Sequence, residues 1–486
     1  MEGLRLRQGG VWQTSLSAWA RFKPTRIWNA AKNEPDLAIL SIVVLTLPLE
    51  LSKQLFPLQI LEISRVAMVA GFVVLSTRLV RGLIVPVPRV LVAAILVAVS
   101  LAGLSLAATR WPNGIRIEAA TATYAVFAFF VAQTVRDARR LRIIATVLVA
   151  SGVVVAIVLL IESLFNIYVW RELALGVLGR RNGTFADPNI TSRFLSLTLI
   201  AILALLVVTR FPPRRTWVAL LTASVLLGVG QALTQSRAGW LVAIVPVGLW
   251  IVFVRPWART VIPVVAFALG FAFTLTVNPA ALLRASSTAQ DVSTAIGAIK
   301  DGHSPGSSNP TSGGDSGAMD SGPPLAFDPV LDRMPLDSVR RYLARAGIAM
   351  FIDHPLVGVG LGGFQPEILG PYSVYIPADR VASPVSLPHT ELVRIAAETG
   401  VVGLLALTLL AGAIAWVLWS LRRAPPSIRL AAGAVGLGIV SIFVASQFEG
   451  RLFDEPYLWL LVGLAASLPG IATGMGATVA SGTTGT

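Results

Sequence analysis

The sequence predicts an all-α fold, a polytopic integral membrane protein with about twelve transmembrane helices and a large, partly helical outer loop. Hydrophobic residues make up 55% of its 486 residues, and charged residues only 13%. A soluble domain typically carries about 25% charged residues. The mean hydropathy is +0.74, and long apolar runs recur along the chain. The lipid bilayer is therefore the predicted surroundings of most of the protein.

Each predicted helix corresponds to one apolar run, since a bilayer-spanning helix needs about 20 predominantly apolar residues. The runs lie at 36–53, 64–78, 89–108, 117–135, 143–165, 190–209, 216–234, 238–254, 260–278, 391–420, 430–447 and 457–475. If the N-terminus lies inside, the inner loops hold more than twice as many Lys and Arg as the short outer loops. The positive-inside rule then predicts that both termini are cytoplasmic.

The same distribution of charge decides what the protein contacts. The formal net charge is +14, but most basic residues lie in short loops between apolar runs, so we expect a bilayer and no nucleic acid as the partner. The chain has no cysteine, which excludes disulfides and thiolate chemistry. The three histidines are far apart and no acidic pair has ligand spacing, so we expect no metal and no cofactor.

The runs divide the chain into five predicted segments. A cytoplasmic segment places Trp12, Leu16 and Trp19 on one helical face, which is typical of an amphipathic helix on a membrane surface. That segment is 1–35, at the N-terminus. The other four are 36–278 with helices one to nine, 279–388 as the large outer loop, 389–475 with helices ten to twelve, and 476–486 as a cytoplasmic tail.

Two parts of the outer loop have distinct compositions. Residues 301–324 are rich in Gly, Ser and Pro, which predicts a flexible stretch. Residues 336–352 have apolar side chains every three to four positions, which predicts an amphipathic helix. The glycines from Gly358 to Gly363 follow a helix rather than a strand, so we interpret them as a backbone bend and not as a nucleotide site.

A cluster of charge marks the start of the tenth predicted helix. His389 lies at the junction between the outer loop and the apolar run, and Glu391, Arg394 and Glu398 follow it on one helical face. Charged groups at membrane depth are costly and usually functional. The i,i+4 spacing favours an internal ion pair between Arg394 and Glu398. Glu391 is close enough to the surface to orient a substrate group or an arginine.

Three outward arginines complete the candidate site: Arg180, Arg181 and Arg237. Arginine suits phosphate because its planar guanidinium binds two oxygens at once. A helix N-terminus also favours an anion. The partial positive charge at a helix N-terminus disfavours protonated imidazole, so His389 is expected to be neutral and able to accept a proton. These residue types predict a general base beside a bound diphosphate.

Asp187, Asn189 and Arg237 each have a structural role as the alternative to a role in the site. Asp187 before Pro188 has the pattern of a helix cap followed by a proline in the first turn, and Asn189 belongs to the same turn. Arg237 has the alternative of an interfacial arginine that extends towards the headgroups.

Four motifs resemble those of the O-antigen ligase and O-antigen polymerase superfamily. They are RxxGTFxxPN at Arg180–Asn189, TxSRAGW at Thr234–Trp240, HPLxGVGxGxF at His354–Phe364 and HTExxRxxAExGxxGL at His389–Leu404. Together they occur in the family's order, in a chain with one large outer loop before the motif histidine.

The resemblance implies a glycosyltransferase that acts without a metal. Such proteins move a glycan from an undecaprenyl-diphosphate carrier to an acceptor on the outer face of the bacterial inner membrane. The acceptor would be another glycan, lipid A-core or another molecule. His389 would activate its hydroxyl, and Arg180 and Arg237 would hold the diphosphate, with Arg181 as the alternative to Arg180. Asn189, Glu391 and Arg394 would support them.

The chain departs from the family pattern at two positions. The family often has Gly-Asn where this chain has Ala186-Asp187, which brings a carboxylate near the expected phosphate site, and often has Asn where this chain has Thr390. The alternative function is a transporter or flippase that binds the same headgroup without chemistry. Transporters commonly contain internal repeats, and no repeat is evident here, which favours the enzyme.

Overall fold

The computed structural model describes residues 33–50, 63–109, 111–169, 179–208, 213–253, 257–300, 323–326, 338–381 and 388–474. The predicted amphipathic segment around Trp12 and the tail 476–486 lie outside these residues, as does nearly all of the stretch 301–324. Within the described ranges the chain forms α-helices and short 3-10 turns, and no strand. The predicted all-α class is confirmed.

Fifteen α-helices are described. The first nine are α1 (Pro35–Thr46), α2 (Ile63–Val80), α3 (Arg89–Thr109), α4 (Pro112–Thr134), α5 (Ala138–Phe165), α6 (Pro188–Val208), α7 (Arg214–Leu233), α8 (Arg237–Phe253) and α9 (Trp257–Val277). The others are α10 (Pro279–Lys300), α11 (Ser338–Asp353), α12 (Phe364–Leu369), α13 (Glu391–Ser420), α14 (Pro426–Glu449) and α15 (Pro456–Thr473).

Every predicted apolar run corresponds to one of these helices. Ten helices in the described part of the chain are long and apolar enough to cross a membrane, and two apolar helices are shorter, Pro35–Thr46 and Arg237–Val252. The protein is therefore polytopic, with ten helices of spanning length where about twelve were predicted. Helix α10 corresponds to none of the predicted apolar runs and lies at the start of the segment that was expected to be a loop.

Polar contacts define the two ends of the helical bundle. At one end, which we call the basic end, the buried carboxylate of Asp36 accepts hydrogen bonds from Arg78 at 2.6 Å, Arg140 at 2.9 Å and Arg136 at 3.1 Å. Three guanidinium groups on one carboxylate join the starts of α1 and α5 to the end of α2.

At the other end, which we call the site end, the loop before α6 is fastened to the segment after α1. The Thr184 hydroxyl donates to the carbonyl of Pro48 at 2.6 Å, and the Ala186 N–H donates to the Glu50 carboxylate at 2.9 Å. The described parts of the loops that were predicted to be outside lie at this end.

Helix α6 lies at the centre of the bundle, and most of its side chains are buried on every face. Small residues let its neighbours approach one another closely. A Cβ added at Gly228 of α7 would overlap the carbonyl of Phe267 in α9, and one at Gly270 of α9 would overlap Val225 of α7. Close approach through small residues is the usual packing of membrane helices, where van der Waals contact replaces the hydrophobic effect.

Helix α13 is broken at Gly400, which has φ 63° and ψ −156°. The freed carbonyls of Ala397 and Glu398 accept from the N–H groups of Val359 at 2.8 Å and Gly360 at 3.0 Å. Beyond the break, the N–H groups of residues 401 and 402 donate to the carbonyls of residues 355 and 356. The backbone N–H and C=O groups that the break leaves unpaired within the helix thus find partners elsewhere in the chain, as they must where no water can replace them.

The glycine segment 358–363 is therefore a backbone bend, as expected. Gly358, Gly360 and Gly362 all have positive φ, and a Cβ at each would overlap neighbouring atoms: the backbone of α13 at Gly358, Thr109 at Gly360 and the α4 backbone at Gly362. Glycine alone permits both the conformation and the approach.

A second hydrophobic core lies over the first half of α13. It joins α11, α12 and the turns that follow them to Ala397 of α13, and its fully buried members include Tyr342, Ala346, Met350 and Phe364. Helix α11 begins at Ser338 and ends at Asp353, where the periodic pattern predicted a helix over 336–352. Residues 338–376, which we call the outer segment, are thus packed on the bundle at the site end.

Candidate functional site

Arg180 is held in a hydrogen-bond network that joins two of the motif segments. Its Nε donates to the carbonyl of Thr234 at 3.1 Å, and its terminal nitrogen donates to Asn189 Oδ1 at 2.9 Å. The same oxygen accepts from the Ser236 hydroxyl at 2.7 Å. Asn189 therefore orients Arg180, and the loop before α6 is fixed against the turn between α7 and α8.

Arg180 lies near charged groups of both signs, which shift its pKa in opposite directions. Burial lowers the pKa of Arg180, the nearby Asp187 and Glu449 raise it, and the nearby Arg284 lowers it further. A bound anion would offset both the lost hydration and the repulsion between the two arginines.

Asp187 caps helix α6, as its position before Pro188 predicts. Its Oδ1 accepts from the Asn189 N–H at 2.7 Å, and its carbonyl accepts from the Thr191 N–H at 3.1 Å. The capping interpretation is confirmed. It places Asn189 in the first turn of α6, facing Arg180.

Arg181 has a different environment from Arg180. Its guanidinium donates to the Asn166 side chain and to the carbonyl of Ile167 at 3.3 Å, and it lies 5.1 Å from the ring centre of Tyr168. With 6% of the residue exposed, its donors are directed into the loop after α5. The structure thus gives the two adjacent arginines different surroundings, a distinction that the sequence left open.

Arg237 begins helix α8, and its guanidinium donates to the Ser287 hydroxyl of α10 at 2.7 Å. Arg284 lies one turn earlier on α10, and its carbonyl accepts from the Ser287 hydroxyl at 3.0 Å. Helix α10 therefore brings a further arginine towards Arg180 and holds Arg237 in place. Arg284 was not among the predicted site residues, because residues 279–300 were expected to belong to a loop.

His389 lies two residues before helix α13, next to its N-cap residue Thr390. The residue is half-buried. Gly450, with φ 68°, ends helix α14 against this segment, and a Cβ on it would lie 3.1 Å from the carbonyl carbon of Pro388 and 3.6 Å from His389 Cα. The Gln447 side chain accepts from the Leu392 N–H at 3.2 Å. The end of α14 thus supports the backbone of His389.

A buried ion cluster connects the His389 region to the Arg180 region. Arg193 of α6 pairs with Glu455 and lies 3.4 Å from the Glu449 carboxylate, and it also donates to the carbonyl of Arg451 at 3.2 Å. Glu449 interacts electrostatically with Arg180 as well. Since Glu449 immediately precedes Gly450, one short segment joins the two parts of the candidate site. No sequence pattern identified these carboxylates.

The charged residues of α13 pair differently from the prediction. Arg394 donates to Glu391 at 2.8 Å, whereas the Glu398 carboxylate accepts from the Phe364 N–H at 3.2 Å. Glu398 therefore fastens the glycine bend and is not the hydrogen-bonding partner of Arg394. Glu391 is fully buried, and the group that its carboxylate contacts is Arg394.

Another arginine near the site comes from the outer segment. Arg340 of α11 lies 5.9 Å from the ring centre of Phe448, the residue before Glu449. The periodic pattern predicted the helix that carries Arg340, but only the packing of α11 shows where its arginines lie.

Residues 222–408 match a family model described as O-antigen ligase. This region of the chain is therefore similar to the O-antigen ligase family. The matched region contains Arg237, His354–Phe364 and His389–Leu404, and the match supports the O-antigen ligase/polymerase superfamily and a role in O-antigen or polysaccharide assembly at a bacterial membrane. A comparison with curated proteins found no match.

Proposed function

We propose that this protein is a metal-independent, inverting glycosyltransferase. It moves a glycan from an undecaprenyl-diphosphate carrier to an acceptor hydroxyl on the outer face of the bacterial inner membrane. One observation carries the proposal: the region that matches the O-antigen ligase family contains Arg237 and His389, and both lie at the site end, where the Arg180–Asn189–Ser236 network also lies.

In the proposed reaction, His389 accepts the proton of the acceptor hydroxyl as its oxygen attacks the anomeric carbon. The bond between that carbon and the diphosphate oxygen breaks, and the electron pair leaves with the carrier diphosphate. A single displacement inverts the configuration at the sugar. His389 then releases its proton to water.

The arginines stabilise the leaving group in this proposal. Arg180 and Arg237 bind the diphosphate oxygens, because guanidinium groups aimed at developing charge lower the barrier. Arg284 is placed to add a third positive charge. Arg181 keeps a structural role in the loop after α5, since its donors are used there. Asn189 orients Arg180, while Glu391 and Arg394 support the start of α13 as a buried pair.

The direct test uses purified protein in nanodiscs with a lipid-diphosphate glycan and an acceptor. Release of the carrier diphosphate is measured together with the new glycosidic bond. His389→Ala is expected to lower kcat by about 10²–10⁴-fold, the usual contribution of a general base. Arg237→Ala is expected to raise the KM of the donor. If His389→Ala reacts at the wild-type rate, the assigned base is wrong.

Two matched controls separate chemistry from folding. His354→Ala removes an exposed imidazole whose residue contacts α11 through its backbone N–H, and Arg423→Ala removes an exposed guanidinium at the basic end. Both are expected to keep wild-type kinetics. Binding of the donor without any bond cleavage by the wild type would instead favour the flippase or transporter.

The orientation of the protein in the membrane is testable by labelling, because the chain has no cysteine and an introduced cysteine would be its one thiol. We propose that the basic end faces the cytoplasm, following the positive-inside rule. A single cysteine at Val374, an exposed residue of the outer segment, is expected to react with a membrane-impermeant maleimide in intact spheroplasts. A cysteine at Arg423 is expected to react only after lysis. The opposite pattern would reverse the orientation.

A further inference from the structure

An apolar groove lies among helices α5, α6, α14 and α15 at the basic end. It encloses about 1010 Å³ of space, part of it open to the surroundings. The first three helices each line it with one face, over residues 138–148, 197–208 and 427–438. Small side chains on these faces, such as Ala204 and Ala434, leave the room. Because protein interiors are close-packed, a space of this size within a bilayer needs an occupant.

The groove is about as deep as one leaflet. Its mouth is at Ala138, Ser427 and Val208, which lie at the basic-end termini of α5, α14 and α6. Tyr457, whose ring packs on that of Phe194, lines the inner end. From the mouth the α5 face rises ten residues, or roughly 15 Å at 1.5 Å per residue. The hydrocarbon core is about 30 Å thick, so one leaflet supplies about half of that, and a lipid of the basic-end leaflet matches the groove in length.

The mouth of the groove is basic and its interior is apolar. Among the described residues that line the groove, Arg142 alone is charged, and its Nε donates to a carbonyl of its own helix at 3.2 Å. The segment 421–429, which leads into α14, contains three arginines, all exposed, and no acidic residue. The carboxylate of Asp137, just before α5, caps that helix by accepting from the Arg140 N–H at 2.8 Å. A negative headgroup above hydrocarbon chains matches this arrangement of charge and apolar surface.

We propose that this groove binds an anionic phospholipid of the leaflet at the basic end. The phosphate contacts Arg142 and the Ser427 hydroxyl, and the acyl chains lie along the face of α6 between α5 and α14. Basic pockets between transmembrane helices bind the headgroups of anionic lipids, and the N-terminus of α14 adds a field that favours phosphate. The lipid takes no part in the proposed reaction, since the groove ends about half a bilayer from the site end. It stabilises the packing of α6, the helix that carries Asn189.

The first test measures which lipid the protein retains. Wild-type protein is reconstituted with equal amounts of phosphatidylglycerol and phosphatidylcholine of the same acyl chains, returned to a mild detergent and measured by native mass spectrometry. It is expected to retain a phospholipid, with phosphatidylglycerol favoured about fivefold, the preference that one arginine at a membrane surface provides. Arg142→Gln is expected to bring this ratio near one. Arg423→Gln is the matched control and is expected to keep the wild-type ratio, since Arg423 is exposed at the same end and does not line the groove.

Two further variants test the groove itself. Ala204→Phe and Ala434→Phe fill the groove and are expected to lose most of the retained phospholipid. Ala268→Phe is the matched control and is expected to retain lipid as the wild type does, since Ala268 is exposed on α9. Retention by both groove variants would overturn the proposal, and so would recovery of a polyprenyl lipid instead of a phospholipid from freshly purified wild-type protein.

Thermal unfolding in nanodiscs gives a second measurement, which does not depend on retention in detergent. A lipid that binds the folded state alone raises the Tm, so the wild type and Arg423→Gln are expected to have a higher Tm in phosphatidylglycerol than in phosphatidylcholine. Arg142→Gln is expected to show little difference between the two lipids. An equal Tm of the wild type in both lipids, or a difference that Arg142→Gln leaves unchanged, would overturn the proposal.

Discussion

Gly450→Ala isolates the support that helix α14 gives to His389. Gly450 has φ 68°, a left-handed conformation that costs a residue with a Cβ about 1–2 kcal/mol. The added Cβ would also lie 3.1 Å from the Pro388 carbonyl carbon and well inside 3.0 Å of its oxygen, a separation that real Cβ atoms essentially never show. The Pro388–His389 peptide must therefore move, by roughly an ångström.

The expected result is a loss of kcat. A misplacement of about 1 Å at a reacting group can reduce the rate by about 10²-fold, and the KM of the donor should change little because the arginine network is not displaced. Steady-state release of carrier diphosphate measures both quantities.

Gly474→Ala is the matched control for this variant. Gly474 also ends a helix with a left-handed conformation, at φ 70°, and no atom lies within 4 Å of an added Cβ. It carries the same conformational cost without the collision. If Gly450→Ala and Gly474→Ala have the same kcat, the contact with Pro388 does not position His389.

The remaining predictions concern stability and the division of roles among charged residues. Arg193→Met removes the buried cation that pairs with the carboxylates of Glu449 and Glu455, so it is expected to destabilise the protein by about 3–5 kcal/mol, seen as a lower Tm in nanodiscs. Glu398→Leu removes the acceptor of the Phe364 N–H and is expected to cost about 1–3 kcal/mol, whereas Glu398→Gln keeps an acceptor and should cost less. Arg181→Ala is expected to lower the Tm and leave the donor KM unchanged; a raised KM would return Arg181 to the diphosphate site.

The broken helix α13 bears on the alternative function. Broken helices in transporters commonly leave backbone groups free to bind an ion or a substrate. At Gly400 the freed carbonyls and N–H groups are instead bonded to residues 355–360. The Ser105 hydroxyl adds a further bond to the Glu398 carbonyl at 3.0 Å. This break fixes the outer segment to the bundle and supports a static scaffold for the candidate site.

The sequence by itself determined the helices. Hydropathy is a local property, because a helix in hydrocarbon satisfies its own backbone groups and needs only apolar side chains. Each predicted run therefore became a helix, with ends within a few residues in most cases. Hydropathy did not predict α10 or the short helix α12, since neither is a long apolar run.

Only the tertiary structure decided the partners of the charged residues. The i,i+4 spacing favoured Glu398 as the partner of Arg394, but Arg394 donates to Glu391, and Glu398 accepts from the Phe364 N–H after the glycine bend. The neighbours Arg180 and Arg181 are equivalent in the sequence, yet their donors point to different elements. Charged side chains in an apolar interior take whichever partner the packing brings near, because an unpaired charge there is costly. That partner can lie hundreds of residues away in the chain, where a local pattern carries no information about it.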